Sequence, residues 1–318
     1  MSVDRLAWAL LSRAASGPCR ALAESVDQLG PTRVAALVQS GDLQVDRDVL
    51  GRGARGLKAA ARDLEAVERL GGRLVTPEDD EWPRELLQCL PSGSDNVGDV
   101  APLALWVRGD RSLLQATCRA VAVIGARAST PYGNRVASEI AGELAGSGHC
   151  VLAGAAYGID AAAHRAALSV GGVTVAVMPC GLDRPYPYAH EQLLDAIADD
   201  GLVVTEYPPG AKVQRQSFLD RNRLVAALSH AVVAVEAGLR SGTASSVRWA
   251  DRFGRPVLAV PGPVTSAASA GCHRFIADGE AQLVTCADDV RRALVPPWWT
   301  STVPAVAQPW LGREGGER

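Results

Sequence analysis

The sequence predicts an α/β protein: a doubly wound, mostly parallel sheet with helices on both faces, preceded by a small all-helical domain. Three observations point there. Short apolar runs at 121–125, 150–154, 173–178, 202–205, 231–235, 256–260 and 281–284 recur at regular spacing. Helical patterns separate most of them, at 131–146, 159–170, 189–199, 219–229, 242–253 and 287–294. The runs are apolar throughout rather than alternating, which marks strands buried on both faces, as in βαβ sheets.

Residues 1–70 read as the small helical domain. Leu6, Ala9, Leu10 and Leu11 give one amphipathic face, and Val26 to Val38 another, interrupted by L-G-P-T-R at 29–33. Such a hairpin fits packing, or contact with a DNA backbone through its turn amides. Residues 71–102 form a connector broken by Pro83, Pro91, Gly93, Gly98 and Pro102. A strand is expected at 103–108, opening a core over 103–294, and 295–318 is expected to be a flexible tail.

Composition narrows the function. The net charge of −3 excludes a uniformly basic nucleic-acid binder, yet 205–255 carries eight Lys/Arg against four acids. The seven cysteines form no C-x-x-C pair and, with five histidines, give no metal-ligand spacing. Scattered thiols fit a reducing cytoplasm, and no apolar stretch reaches membrane-spanning length.

Ligands of such a sheet bind beyond the carboxyl ends of the strands. After the first core strand comes G-A-R-A-S-T-P-Y-G, with Gly125, Arg127 and Ser129; Ser129 or Thr130 suits an N-cap and Pro131 the first helical turn. A free helix N-terminus beside Arg127 predicts a phosphate site. After the second comes A-G-A-A-Y-G-I-D, where Gly154 and Gly158 permit close backbone approach. Asp160 and His164 stand four apart, a spacing that fits acid–base chemistry or buried structural hydrogen bonds. Tyr186 and Tyr188 follow the third strand and are available for stacking. After the fourth comes a stretch from Thr205-Glu206 to Arg223 that opens with a long loop and carries Lys212, Arg215, Arg221 and Arg223 with Tyr207 and Phe218 interleaved, the mixture single-stranded nucleic acid needs. After the fifth, Glu236 precedes another turn with Ser241, Gly242 and Thr243, a second amide cluster. The sixth ends in a small-residue loop, 261–271. No Walker lysine and no G-x-S-x-G elbow occurs.

In this order, V-I-G-A-R, G-A-A-Y-G-I-D-A-A-A-H, C-G-L-D-R-P-Y-P, T-E-Y-P-P-G, F-L-D-R-N-R and V-E-A-G-L-R-S-G-T resemble the DNA-processing protein family, DprA or Smf. The resemblance covers about 103–285, with a weaker match in the N-terminal helices. It implies an extended Rossmann-like core and a SAM or helix-hairpin-helix-like N-terminal domain. It further implies a cytoplasmic homodimer that binds single-stranded DNA, protects it and loads RecA recombinase during natural transformation, without cofactor, metal or catalytic residue. It assigns DNA contacts to Gly125, Arg127, Arg221, Asn222 and Arg223. The sequence departs from the family pattern at Ala153, where Ser precedes the glycine, and at His190, which replaces Asn.

Two alternatives belong to other classes. A nucleoside-monophosphate phosphoribohydrolase of the LOG or lysine-decarboxylase-like kind has a similar G-T turn, but Ser246 stands where its catalytic Glu belongs. A purely structural module is the other.

Overall fold

The computed structural model describes residues 3–42, 56–90 and 100–294. The expected tail, 295–318, lies outside them. Four helices come first: α1 (Val3–Ala15), α2 (Arg20–Leu29), α3 (Pro31–Ser40) and α4 (Leu57–Arg69). Next come β1 (Gly72–Val75), α5 (Arg84–Leu87), β2 (Leu105–Arg108) and α6 (Leu113–Thr117). The core then runs β3 (Ala120–Ile124), α7 (Pro131–Gly146), β4 (Cys150–Ala153), α8 (Ile159–Ser169), β5 (Thr174–Met178), α9 (Glu191–Asp200) and β6 (Leu202–Thr205). It ends with α10 (Arg215–Ala227), β7 (Ala231–Ala234), α11 (Thr243–Arg252), β8 (Val257–Ala259), α12 (Ala270–Ala277), β9 (Gln282–Leu283) and α13 (Ala287–Leu294).

The described strands form one sheet in the order β1-β2-β6-β5-β4-β3-β7-β8-β9. β1 and β2 run antiparallel to their neighbours and β3 to β9 are mutually parallel. The chain builds outward from β3 through β4, β5 and β6, then returns to add β7 on the other side of β3. The crevice between the carboxyl ends of β3 and β7 is therefore the topological switch point.

The two faces explain the uninterrupted apolar runs. Ala120, Ala122 and Ile124 pack with Leu224, Val225 and Leu228, while Val121 and Val123 pack with Ile140, Leu144, Ile159 and Ala163. Alternate residues of one strand thus face helices on opposite sides of the sheet, and both sides demand apolar side chains.

The N-terminal helices share this core. Leu10, Leu11, Leu22 and Val34 belong to the same buried cluster as Trp106, Met178 and Ile197. Trp106 Nε1 donates to Ser12 Oγ at 2.9 Å, inside the protein. Gly30, with φ +76°, ends α2, and Pro31 starts α3 without needing a backbone donor.

Several elements differ from expectation. β1 and α5 fall in the segment read as a connector; Arg73 of β1 binds Glu81, on the turn before α5, at 2.6 Å. α10 starts at Arg215, earlier than expected, because Ser217 closes its first turn on Gln214 (2.7 and 3.0 Å). Arg215, expected on a loop, is consequently helical, while Lys212 stays on the loop. α12 occupies a place where no helix is expected, entered through Gly271, whose Cβ would lie 2.6 Å from the Ala237 carbonyl oxygen.

His164 is fully buried on α8. Its Nδ1 lies 2.7 Å from Thr174 Oγ1, whose hydroxyl donates to the Val151 carbonyl, so Nδ1 is the donor. Burial pushes its pKa down to about 3. A histidine whose folded pKa is depressed contributes stability above its unfolded pKa, near 6.5, and loses it as pH falls. Between pH 6.5 and 4 the unfolding free energy of the wild type should drop more steeply than that of His164→Asn, by up to about 1.4 kcal/mol per pH unit. Urea titrations at stepped pH check this; parallel slopes would refute it.

Candidate nucleic-acid interface

A cavity of about 380 Å³ opens at the switch point. Gly125, Ala126 and Arg127 form one wall, Asp160 and Ala156 the second, Phe218, Arg221 and Asn222 the third, and Ser241, Gly242, Thr243 and Ser246 the fourth. Nine residues anticipated from sequence meet here: Gly125, Arg127, Asp160, Phe218, Arg221, Asn222, Ser241, Gly242 and Thr243.

Glycine makes the convergence possible. A Cβ on Gly125 would lie 2.6 Å from Ile159 Cγ1 and 2.9 Å from the Glu236 carbonyl oxygen. Gly158 adopts φ +78° and sits against the carbonyl groups of Ala126 and Arg127, where a side chain would collide. Gly154 lies directly under the Arg221 guanidinium, and a methyl there would overlap it.

Arg221 is the central charge. It is only 7% exposed, and its neighbours are distant: Asp160 Oδ2 at 4.0 Å and the Val177 carbonyl at 3.5 Å. Its Nε has no partner. Burial holds the guanidinium below its ordinary pKa, against the pull of Asp160, and nearby Arg127 pushes the same way as burial. Asp160 cannot close the gap, because it accepts the amides of Gly154 (3.0 Å) and Ala156 (3.3 Å). Burial pushes the Asp160 carboxyl up, opposed by Arg221 and those amides. Asn222 Nδ2 reaches the Gly242 carbonyl at 3.4 Å, and the Ser241 hydroxyl is buried without a partner.

The rim adds an exposed cation and aromatic rings. Arg127 lies over the Phe218 ring, 4.6 Å from its centroid, and Tyr186 packs edge-on against Phe218 at 5.4 Å. Next to Ala156, Tyr157 is half exposed and packs on His190 at 4.8 Å. Tyr188 is 75% exposed. His190, the departure from the family pattern, is buried, with Nδ1 2.9 Å from the Ala155 carbonyl, so it braces the second loop.

Several expectations are corrected. Arg223 is 0% exposed; its Nη2 bonds both oxygens of Glu206 at 2.7 and 2.8 Å, so it packs in the core and does not line the cavity. Burial pushes the Glu206 carboxyl up against the pull of Arg223. Tyr207 is buried and donates to Asp220 at 2.7 Å, so it offers no stacking surface. The α7 N-terminus is not free: buried Glu236 accepts Thr130 N at 2.9 Å and Thr130 Oγ1 at 2.6 Å. Ser129 turns to Asn134 at 2.6 Å, and Lys212 is exposed on the loop before α10; neither lines the cavity. Asp160 and His164 do not pair, since each binds a different partner, as a structural role requires.

Sequence reasoning missed Leu219, Val225 and Ser246 as lining residues. The signal was present: Phe218, Arg221, Asn222 and Val225 recur at helical spacing once α10 is begun at Arg215. Among the described residues, no group of three His, Cys, Asp or Glu could hold a metal ion.

Removing one member of a buried ion pair strands the other. Glu206→Gln should therefore lower the unfolding free energy by about 3–5 kcal/mol, measured by denaturant titration. Wild-type stability in this variant would show that Arg223 finds solvent instead.

Comparison with known proteins places the chain and its fold in a family. The model of the family described as DNA recombination-mediator protein A matches residues 73–295. A Mycobacterium tuberculosis protein carrying the DprA name is 49% identical over 286 residues, 89% of this chain and 73% of its own length. The DNA processing protein DprA of Streptococcus pneumoniae is 40% identical over 202 residues, 64% of this chain and 70% of its own. The X-ray structure of the S. pneumoniae protein superposes with TM-score 0.72 at 28% identity, covering 92% of this chain and 98% of that one. A structure of Helicobacter pylori DNA processing protein A, concerned with its single-stranded DNA binding mode, superposes with TM-score 0.59 at 30% identity, over 70% and 95% of the two chains. This chain belongs to the DNA recombination-mediator protein A family, the DprA or Smf proteins.

Proposed function

We propose that the switch-point cavity grips the phosphate backbone of single-stranded DNA without reading its sequence. The observation that carries this reading is Arg221: a buried cation with a counter-charge no nearer than 4.0 Å, lining an open cavity. A buried charge needs a close partner, and a phosphate entering the cavity supplies one. Arg127 offers the next phosphate contact, and Phe218, Tyr157 and Tyr188 offer faces for bases. Support comes from the H. pylori relative, whose structure concerns single-stranded DNA binding.

In keeping with the family, the wider role we propose is that of a recombination mediator that protects incoming single strands and loads RecA during DNA uptake, acting as a homodimer. We assign it to the cytoplasm, in keeping with seven free cysteines; no described helix is long and apolar enough to cross a membrane. The protein acts by binding rather than catalysis. Asp160 is the one carboxylate lining the cavity among the described residues, and two amides hold it, so the acid a phosphoribohydrolase needs is not in place.

Fluorescence anisotropy with labelled oligo-dT tests the reading. Binding should exceed that of duplex DNA and weaken linearly with log salt. Arg127→Ala should cost about 1–3 kcal/mol and flatten the salt slope by about 0.7, one phosphate contact on a single strand. Gly154→Ala, which displaces Arg221, should weaken oligo-dT binding as well. Salt-independent binding, or Arg127→Ala at wild-type affinity, would sink the groove assignment. Release of free base from AMP would favour the hydrolase instead.

A further inference from the structure

The turn after β4 holds one residue in an uncommon conformation. Ala155 has φ +53°, in the left-handed region, and it is not a glycine. The Cβ makes that conformation unfavourable, and it persists only where the surroundings hold it. Two groups hold it here. The Ala155 methyl is fully buried, in the cluster that includes Met178 and Cys180. His190, 35 residues on and 5% exposed, meets the Ala155 carbonyl at 2.9 Å. A carbonyl oxygen only accepts, so His190 Nδ1 carries the proton. A left-handed residue turns the amides around it toward one point, where an anion fits. Here the point is Asp160 Oδ2, which the amides of Gly154 and Ala156, either side of Ala155, reach at 3.0 and 3.3 Å. The Gly125 amide also stabilises this carboxylate. The same Oδ2 lies 4.0 Å from Arg221 Nη1, about 1 Å beyond a closed arginine–carboxylate bond.

We propose that His190 is a positioning residue for the cavity's cation: by holding Ala155 left-handed it keeps Asp160 on the loop amides and leaves Arg221 open to an anionic ligand. Without the His190 bond, Ala155 leaves the left-handed region and its flanking amides turn away. Asp160 then moves onto Arg221 and closes a pair that competes with phosphate. His190 does not line the cavity, so it acts through the turn. The identity of the ligand rests on the groove assignment above; the latch between His190, Ala155 and Asp160 does not.

Rescue experiments test this, read by anisotropy with labelled oligo-dT and by melting temperature. His190→Ala should weaken oligo-dT binding about tenfold and flatten its salt slope by about 0.7, the loss of one phosphate contact. His190→Asn should bind as the wild type does, because Asn Nδ2 and His Nδ1 are both bonded to Cγ and both donate. In the His190→Ala background, Asp160→Asn removes the competing charge, and Ala155→Gly adopts the turn unaided. Each should restore most of the lost affinity. Tyr157 packs edge-on against His190 at 4.8 Å, and neither second substitution rebuilds that contact, so rescue separates the latch from a lost stacking surface. Wild-type affinity in His190→Ala, or a loss that neither second substitution relieves, would overturn the proposal. If His190→Ala does not fold, His190→Phe keeps a ring against Tyr157 without the donor. The same loss and the same rescues are then expected, and wild-type affinity refutes the role. If the wild type does not bind oligo-dT, the groove assignment fails and melting temperature judges the latch. Ala155→Gly should then be more favourable by a few degrees in His190→Ala than in the wild type, and equal shifts overturn it.

Discussion

A guanidinium kept out of water organises the carboxyl edge of the sheet. Taking an ion out of water costs several kcal/mol unless close partners replace the solvent. Arg221 has only long contacts, to Asp160 and to the Val177 carbonyl. The surrounding residues maintain that condition. Gly154 leaves room for the planar group against the backbone, two amides fix Asp160 at a distance, and α10 fixes the arginine stem. The cavity is thus kept electrostatically incomplete, which is what a site for an anionic ligand requires.

Next to this open charge, the equivalent needs of the fold are met internally. Glu206 neutralises Arg223, Glu236 occupies the end of α7, and Asp160 takes up the amides of the β4 loop. One face of the site is therefore self-satisfied, and the other is exposed at Arg127, Tyr157 and Tyr188. Preorganisation of this kind lowers the ordering cost of binding, since the protein groups already hold their positions.

Much of this was legible in the sequence, for identifiable reasons. Strands buried on both faces leave continuous apolar runs, and Thr130-Pro131 and Gly30-Pro31 mark helix starts by chemistry local to the chain. β1 was not legible because G-R-L-V is too short, and is half-buried at its start. Arg223 was misplaced because adjacent helical residues point about 100° apart. Arg221 faces the cavity from α10, and Arg223, two residues on, faces the core. Glu236 was recognised as part of a motif, but its partner lies on another element, and no local pattern records a contact across 106 residues.

The order of the strands carries a consequence for how the chain is made. β3 sits in the middle of the sheet, yet one of its two neighbours, β7, begins only at Ala231. As the polypeptide leaves the ribosome, β3 to β6 have emerged while one edge of β3 still lacks its partner strand. Through that interval the first turn of α7 lacks its carboxylate, and the apolar residues that meet α10 and α11 lack their cover. The nascent protein is therefore a half-sheet with a bare central edge, the kind of surface that other strands add to. Delivery of residues 231–236 closes that edge and supplies the missing anion in a single step.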